Sequence, residues 1–180
     1  MKLLCIVGSL KKESNNRKII DHLIDKYGDQ HQMKLGDISG LPMYNEDIEG
    51  EAFPAVEALR EDIRWADGLI VITPEHNGSI PAVLKNALDW MSRVDRVMIN
   101  KPLMIISSSL SPLGGVRAQG HLREILHGMG LSALVEPGVE SLIGSIHEKL
   151  DGQGRLIDQA TLDHLEARME NFEAWIRKFQ

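Results

Sequence analysis

The sequence predicts an α/β fold of three layers, in which helices cover both faces of a five-stranded parallel sheet. Short apolar runs alternate with amphipathic segments along the chain, and the apolar runs contain almost no polar residues. Strands that are apolar on both faces are typical of a parallel sheet that is covered on both sides. With 180 residues and no internal repeat, the chain fits one domain over residues 1–180.

Four apolar runs of strand length and one weaker run mark the sheet. In chain order, the predicted strands span residues 3–7, 32–35, 68–73, 102–107 and 131–135. Apolar residues then recur at steps of three and four, which predicts helices with one buried face each. The positions are Ile19, Ile20, Leu23, Ile24 and Tyr27; Val56, Leu59, Ile63 and Ala66; Val83, Leu84, Ala87, Leu88 and Met91; Leu122, Ile125, Leu126 and Met129; and Leu162, Leu165, Met169, Phe172, Ile176 and Phe179. We expect the last stripe to pack in the core or at an interface.

Composition excludes several classes of protein. The net charge of −6 argues against nucleic-acid binding, although residues 1–18 carry a local charge of +4 that suits one small anion. No apolar run approaches the ~20 residues that span a bilayer, so we expect no membrane segment. The lone Cys5 lies in an apolar run, which indicates a core position and a cytoplasmic location.

Ligands of doubly wound sheets bind at the carboxyl ends of the strands, so the loops after the predicted strands are the candidate site. The first loop reads GSLKKESNNR. A helix that starts near Asn15 presents free backbone N–H groups there, and Ser9, Ser14 and Asn16 add short polar side chains. Lys11 adds a positive charge. These residues predict a phosphate site, and plain helix capping is the alternative for the Ser and Asn residues.

The first loop also lacks two common phosphate motifs. It contains neither GxxxxGK[ST], which wraps a triphosphate, nor GxGxxG, which admits a dinucleotide pyrophosphate. A loop of hydroxyls and amides fits a terminal monophosphate such as that of FMN. The sequence also has no GxSxG nucleophile motif and no clustered metal ligands, so we predict neither a hydrolase nor a metal site.

The second loop, which follows residues 68–73, is stiffened at its ends by Pro74 and Pro81. Backbone N–H groups near Asn77 and Gly78 are predicted to reach the polar edge of an isoalloxazine ring. His76 has three alternatives: against the ring, at the substrate entrance, or simply exposed. Glu75 is a candidate acceptor for nearby backbone N–H groups and has no predicted acid–base role.

The third loop, SSSLSPLGG, combines hydroxyls with a glycine pair, which lets the backbone approach a ligand edge. Ser109 is the candidate contact. An ordinary turn before a helix is the alternative. Arg117, which follows this loop, is open to three interpretations: a ribose phosphate, another subunit or solvent.

These segments together resemble the NAD(P)H-dependent FMN reductases of flavodoxin-like fold, particularly bacterial quinone and chromate reductases. The matching text includes GSLKKESNNRK, the long stretch from LPMYNEDIEG to ITPEHNGSIPAVLKNALDWMSR, and SSSLSPLGGVRAQGHLREIL. The resemblance covers most of residues 3–130, and the tail TLDHLEARMENFEAW is also similar.

The resemblance implies bound FMN, with NAD(P)H as co-substrate, and a homodimer or homotetramer whose contacts involve residues 41–53 and 82–93. It assigns the FMN phosphate to Ser9, Lys11, Ser14 and Asn16. It assigns the ring to Pro74, Glu75, His76, Asn77 and Gly78, and a further contact to Ser109. The family usually has arginine at Lys11 and an aromatic residue at His76, so phosphate affinity and ring packing are expected to differ.

We therefore expect a ping-pong enzyme that passes two electrons through FMN to a quinone, with no obligatory catalytic side chain. Chromate, azo and nitro compounds remain alternative acceptors, and NADPH and NADH remain equally open. The rival from another class is a flavodoxin-type electron carrier without substrate turnover. Carriers of that type have a TxTGxT-like phosphate loop and a strongly acidic surface, whereas this chain has GSLKKES.

Overall fold

A computed structural model describes residues 1–138 and 140–180. The strands are β1 (Lys2–Val7), β2 (Gln32–Gly36), β3 (Gly68–Thr73), β4 (Pro102–Ser108), β5 (Leu134–Val135) and β6 (Ser141–Ile143). The helices are α1 (Asn15–Tyr27), α2 (Pro54–Trp65), α3 (Ala82–Met91), α4 (Val116–His127) and α5 (Gln159–Arg177), with 3-10 turns at Glu46–Ile48 and Ile146–Glu148.

The strands form a parallel sheet in the order β2-β1-β3-β4-β5, with β6 also paired to β4. The order reverses between β1 and β3, because the chain adds β2 on one side of β1 and β3 on the other. This is the flavodoxin-like arrangement, and it confirms the predicted three-layer α/β fold.

The sheet separates two apolar cores. Alternate residues of the central strands point to opposite faces, as the two-residue period of a strand requires. Leu4, Ile6, Leu69, Val71, Leu103 and Ile105 pack with α2, α3 and α4 on one face. Leu3, Cys5, Ile70, Ile72, Met104 and Ile106 pack with α1 and α5 on the other. Cys5 is fully buried in this second core, which confirms the core interpretation of this residue, and burial raises the pKa of its thiol to about 12.

The fifth position of the sheet differs from the prediction of one strand over residues 131–135. Leu131 and Ser132 instead form the turn that ends α4, where both of their N–H groups donate to the Gly128 carbonyl. Strand β5 pairs only with the start of β4, and β6 pairs with its end. Just after β5, the Glu136 N–H still donates to the Leu103 carbonyl of β4 at 2.8 Å.

The carboxy-terminal stripe packs in the core as expected, except at its end. Leu165, Met169, Phe172 and Ile176 are buried. Phe179 lies beyond α5 and is 47% exposed, with its ring against Trp175. Helix α5 lies very close to the start of β3, because a Cβ at Gly68 would be only 2.6 Å from the Ile176 side chain.

The segment 41–53 packs on α3 of its own chain. The Trp90 indole N–H donates to the Pro42 carbonyl at 2.8 Å, and its ring meets Tyr44 and Phe53 edge-on. Trp90 is fully buried, and Leu88 and Met91 are nearly so. These three side chains are therefore core residues, and they are not free to form the subunit contact that was expected of helix 82–93.

Candidate functional site

A cavity of about 840 Å³ opens at the carboxyl ends of β1, β3 and β4. This is where the strand order reverses, and ligands of doubly wound sheets bind there. The first, second and third loops all contribute to the wall, as the sequence predicted. The wall comprises Ser9, Leu10, Lys11, Ser14, Asn15, Asn16, Pro74, Glu75, His76, Pro81, Ala82, Val83, Ser108, Ser109, Leu110, Ser111, Leu113, Gly115 and Ile146.

The first loop directs the start of α1 toward the cavity. Ser14 is the N-cap, and its hydroxyl accepts a hydrogen bond from the Arg17 N–H at 3.4 Å. The N–H groups of Asn15 and Asn16 have no intrahelical acceptor at this position in a helix. Ser14 therefore caps the helix and also lines the cavity, so the two interpretations of its hydroxyl are compatible.

The charge of this loop is partly neutralised by neighbouring carboxylates. Arg17 pairs with Asp21 at 2.7 Å, and Lys18 approaches Glu13 at 3.9 Å. Lys11 and Lys12 have no carboxylate oxygen within 4.0 Å in residues 1–138 and 140–180. Lys11 is exposed at the cavity wall, so its ammonium group can meet an anion.

Within residues 1–138 and 140–180, two buried polar atoms of the wall have no hydrogen-bond partner. They are Asn16 Oδ1 and Ser108 Oγ, in residues that are 5% and 1% exposed. Buried polar groups are nearly always paired, so such atoms in a cavity wall are available to bond with a ligand. The ribityl chain of FMN carries hydroxyl groups that can donate to Asn16 and bond with Ser108, so the cavity fits this cofactor. Sequence reasoning missed Ser108, although it stands beside Ser109.

The second loop is a tight hairpin turn. His76 and Ser79 exchange backbone hydrogen bonds at 2.9 and 3.0 Å, and Asn77 and Gly78 both have positive φ, at 51° and 76°. Two positive φ values define a type I′ turn, for which Asn-Gly is the preferred pair. Pro74, Glu75 and His76 line the cavity, and Asn77 and Gly78 form the tip of the turn that follows them.

Glu75 fastens this loop to α4. Its carboxylate accepts the N–H groups of Arg117 at 3.0 Å and Ala118 at 3.3 Å. The local N-cap, Gly115, offers no side chain, so Glu75 supplies the missing cap from another part of the chain. The expected role as an acceptor for backbone N–H groups is confirmed.

The third loop is held tightly against the end of the sheet. The Ser109 N–H donates to the Ile143 carbonyl at 3.1 Å, and its hydroxyl donates to the Ser111 carbonyl at 2.9 Å. Gly114 has a φ of 61°, and a Cβ there would lie 2.8 Å from the Leu142 backbone. The glycine is therefore required for close approach to β6. Ser109 lies in the cavity wall.

Apolar side chains form the rest of the cavity. Pro74, Pro81 and Val83 provide a rigid surface on one side. Leu10, Leu110 and Leu113 are 57%, 63% and 66% exposed at the rim. A polar end beside a flat apolar surface suits a ligand that joins a phosphate to an aromatic ring. Sequence reasoning did not identify the three leucines.

In the described residues, no three His, Cys, Asp or Glu side chains form a group able to hold a metal ion. No helix there is long and apolar enough to cross a bilayer. The sheet order and the cavity define a flavodoxin-like protein with a site for a mononucleotide.

Comparison with known proteins gives the family. The family model described as NADPH-dependent FMN reductase matches residues 1–148. A quinone reductase of Escherichia coli K12 is 41% identical over 183 residues, covering 99% of this chain and 96% of that protein. An NAD(P)H-dependent FMN reductase of Pseudomonas aeruginosa is 38% identical over 182 residues, with coverage of 100% and 97%. The chain belongs to the NADPH-dependent FMN reductase family.

A solved structure agrees with this assignment. The flavoenzyme NAD(P)H:(acceptor) oxidoreductase FerB from Paracoccus denitrificans superposes with a TM-score of 0.87 at 31% identity, covering 98% of this chain and 97% of that one. The protein is thus an FMN-dependent oxidoreductase that uses NAD(P)H as co-substrate.

Proposed function

We propose that this enzyme transfers two electrons from NAD(P)H to a quinone, with FMN held in the 840 Å³ cavity by the first, second and third loops. The observation that carries the proposal is a pair of buried atoms in the wall of that cavity, Asn16 Oδ1 and Ser108 Oγ, which have no hydrogen-bond partner among the residues that the structure describes. The whole chain, residues 1–180, is proposed to form the FMN-binding domain.

The FMN phosphate is proposed to lie at the start of α1. Free N–H groups and the positive end of the helix dipole favour an anion there. The hydroxyls of Ser9 and Ser14 add donors, and Lys11 adds a charge that no carboxylate of the described residues neutralises. Lysine makes a single-point contact, whereas an arginine would bind in a fork.

The isoalloxazine ring is proposed to lie between the second and third loops. Pro74 and the glycine-containing third loop hold the ring, and Ser109 lies within the same wall. Glu75 holds the second loop by its bonds to α4. Because these segments are rigid before the ligand arrives, little free energy is spent on ordering them.

Bound FMN supplies the redox chemistry, accepting two electrons from NAD(P)H and passing them to the acceptor. The side chains bind and orient the reactants. His76 is exposed at the entrance, where an acceptor passes it, and the leucines of the rim exclude water from one side. A single opening of the cavity would serve both substrates in turn, which supports a ping-pong cycle without a catalytic side chain.

The acceptor class rests on the quinone reductase named among the relatives. Chromate, azo and nitro compounds are proposed as secondary acceptors that meet the same exposed face. Initial rates measured with each of these acceptors at saturating NADPH test this ranking of acceptors, and quinones are expected to react fastest.

We also propose a cytoplasmic homodimer or homotetramer. The lone cysteine supports a reducing compartment. The exposed leucines at the cavity rim support a partner close to the site. Light scattering on the FMN-loaded protein tests the assembly, and a monomer at micromolar concentration would contradict it.

Titration of the FMN-free protein with FMN, followed by flavin fluorescence, tests the phosphate site. Ser14→Ala is expected to weaken binding by about 1 kcal/mol, the usual scale of one hydrogen bond. Lys11→Glu is expected to weaken it more, because a like charge then faces the phosphate. Lys18→Glu changes the same charge outside the cavity wall and serves as the control. Unchanged affinity in both cavity variants would mean that FMN lies elsewhere.

A further inference from the structure

A second cavity, of about 300 Å³, lies on the other side of the first loop. It is bounded by that loop, by the end of β2 and by residues 37–39, which follow β2. Its wall comprises Val7, Ser9, Leu10, Lys11, Lys12, Arg17, Leu35, Gly36, Asp37, Ile38 and Ser39. Ser9, Leu10 and Lys11 line both cavities, so only the first loop separates the second cavity from the proposed FMN site.

The charge in this cavity is predominantly positive. Lys11, Lys12 and Arg17 face one carboxylate, that of Asp37. Arg17 is engaged by Asp21, but Lys12 is exposed and has no carboxylate within 4.0 Å in the part of the chain that the structure describes. A concave site with an excess of cations attracts a small anion of two negative charges, such as a phosphate monoester.

The carboxylate of Asp37 bears on whether this cavity binds a ribose hydroxyl or a phosphate. Its Oδ1 accepts hydrogen bonds from the N–H of Ser39 at 2.8 Å and from the hydroxyl of Ser39 at 2.6 Å. These bonds, the hydroxyl bond first, hold the pKa of Asp37 below its ordinary value. Carboxylates after the second strand of dinucleotide-binding sheets accept the hydroxyls of an adenosine ribose, whereas neighbouring cations favour a 2′-phosphate. In the second cavity, three cationic side chains face the single carboxylate of Asp37, which favours a phosphate over a ribose hydroxyl.

We propose that the second cavity binds the 2′-phosphate of NADPH, and that the enzyme therefore prefers NADPH to NADH. The proposal rests on the proposed function, because the nicotinamide must lie in the first cavity while its adenosine end crosses the first loop. Lys12 lines only the second cavity, so it is the residue that separates this role from FMN binding.

The first experiment uses the FMN-loaded enzyme and measures kcat/KM for NADPH and for NADH. Lys12→Glu is expected to lower the value for NADPH about tenfold, the scale of one lost bond to a charged group, and to leave NADH unchanged. Asp37→Asn keeps the oxygen that Ser39 bonds but removes the negative charge, so it is expected to raise the NADPH preference. A merely structural role of either residue would not move the ratio in these opposite directions.

The second experiment measures binding without turnover. Calorimetric titration of the FMN-loaded protein with 2′,5′-ADP and with 5′-AMP should show tighter binding of 2′,5′-ADP, and Lys12→Glu should abolish the difference. Lys18→Glu is the charge-matched control, since Lys18 is absent from both cavity walls.

The outcomes separate this proposal from the one on which it rests. An active wild-type enzyme whose NADPH-to-NADH ratio is the same in Lys12→Glu overturns the second site and leaves the proposed function intact. Loss of FMN affinity in Lys12→Glu would mean that Lys12 contacts the FMN phosphate instead, and this result would also overturn the proposed second site. A protein that oxidises neither nucleotide after loading with FMN contradicts the proposed function itself.

Discussion

Replacement of Glu75 tests whether a contact between distant loops maintains the site. Glu75→Ala removes the acceptor for the Arg117 and Ala118 N–H groups, 3.0 and 3.3 Å away. Loss of a side-chain cap costs about 1 kcal/mol, and loss of a carboxylate at a helix start costs about 0.5 kcal/mol more. No local side chain compensates, because the N-cap is Gly115.

We therefore expect Glu75→Ala to reduce the free energy of unfolding by about 1.5 kcal/mol, or to lower the Tm by about 5 °C. Glu75→Gln keeps an oxygen acceptor and loses only the charge, so a decrease of about 0.5 kcal/mol is expected. Urea unfolding of the FMN-free proteins, followed by circular dichroism, gives both values. FMN affinity should fall severalfold in the alanine variant, since the loop that carries Pro74 and His76 is released from α4.

Two results would refute this reasoning. An alanine variant as stable as the wild type would show that the two bonds contribute nothing net to stability. A glutamine variant as unstable as the alanine variant would show that charge, and not hydrogen bonding, is the origin of the effect.

Two other predictions concern α5. Hydrogen bonds from Lys149 and Thr161 hold the pKa of Asp158 at about 2, below the ordinary 3.8, so its stabilising effect is complete above about pH 4 and is lost as the pH falls toward 2. Between pH 4 and pH 2, the free energy of unfolding should therefore fall less in Asp158→Asn than in the wild type. Identical dependence on pH in the two proteins would contradict the role of this cap. Arg168 pairs with Glu136 inside the protein. Arg168→Leu leaves the buried Glu136 carboxylate without this partner, so it should lower the free energy of unfolding, measured in urea, by about 3–5 kcal/mol. Arg168→Leu combined with Glu136→Leu should recover much of that loss, and a double variant less stable than the single one would refute the explanation.

Local patterns in the chain were sufficient for the main elements. The β3 bounds agree with the prediction, and the start of α1 at Asn15 follows directly from Ser14, whose hydroxyl caps the helix. These features depend on neighbours within a few residues, so they can be predicted from the sequence without knowledge of the fold. The Asn77-Gly78 pair is the preferred pair of the type I′ turn that the structure shows, and its contact with the flavin ring stays a prediction.

The features that could not be predicted depend on residues far apart in the chain. Glu75 accepts hydrogen bonds from N–H groups about 42 residues away, and the Trp90 indole N–H donates to a carbonyl 48 residues earlier. Strand β4 pairs with β5 at its start and with β6 at its end, so two short segments occupy the fifth position of the sheet. No periodicity in the sequence reports such pairings.

By itself, the sequence determined the layers, the helix faces and the three loops that meet at the strand ends, because burial periods and turn residues act locally. The tertiary structure alone decided that Ser108 and Asn16 leave unpartnered atoms in one cavity and that Lys12 and Asp37 share another. Those relations depend on how strands are ordered side by side, and strand order is set by packing across the whole sheet.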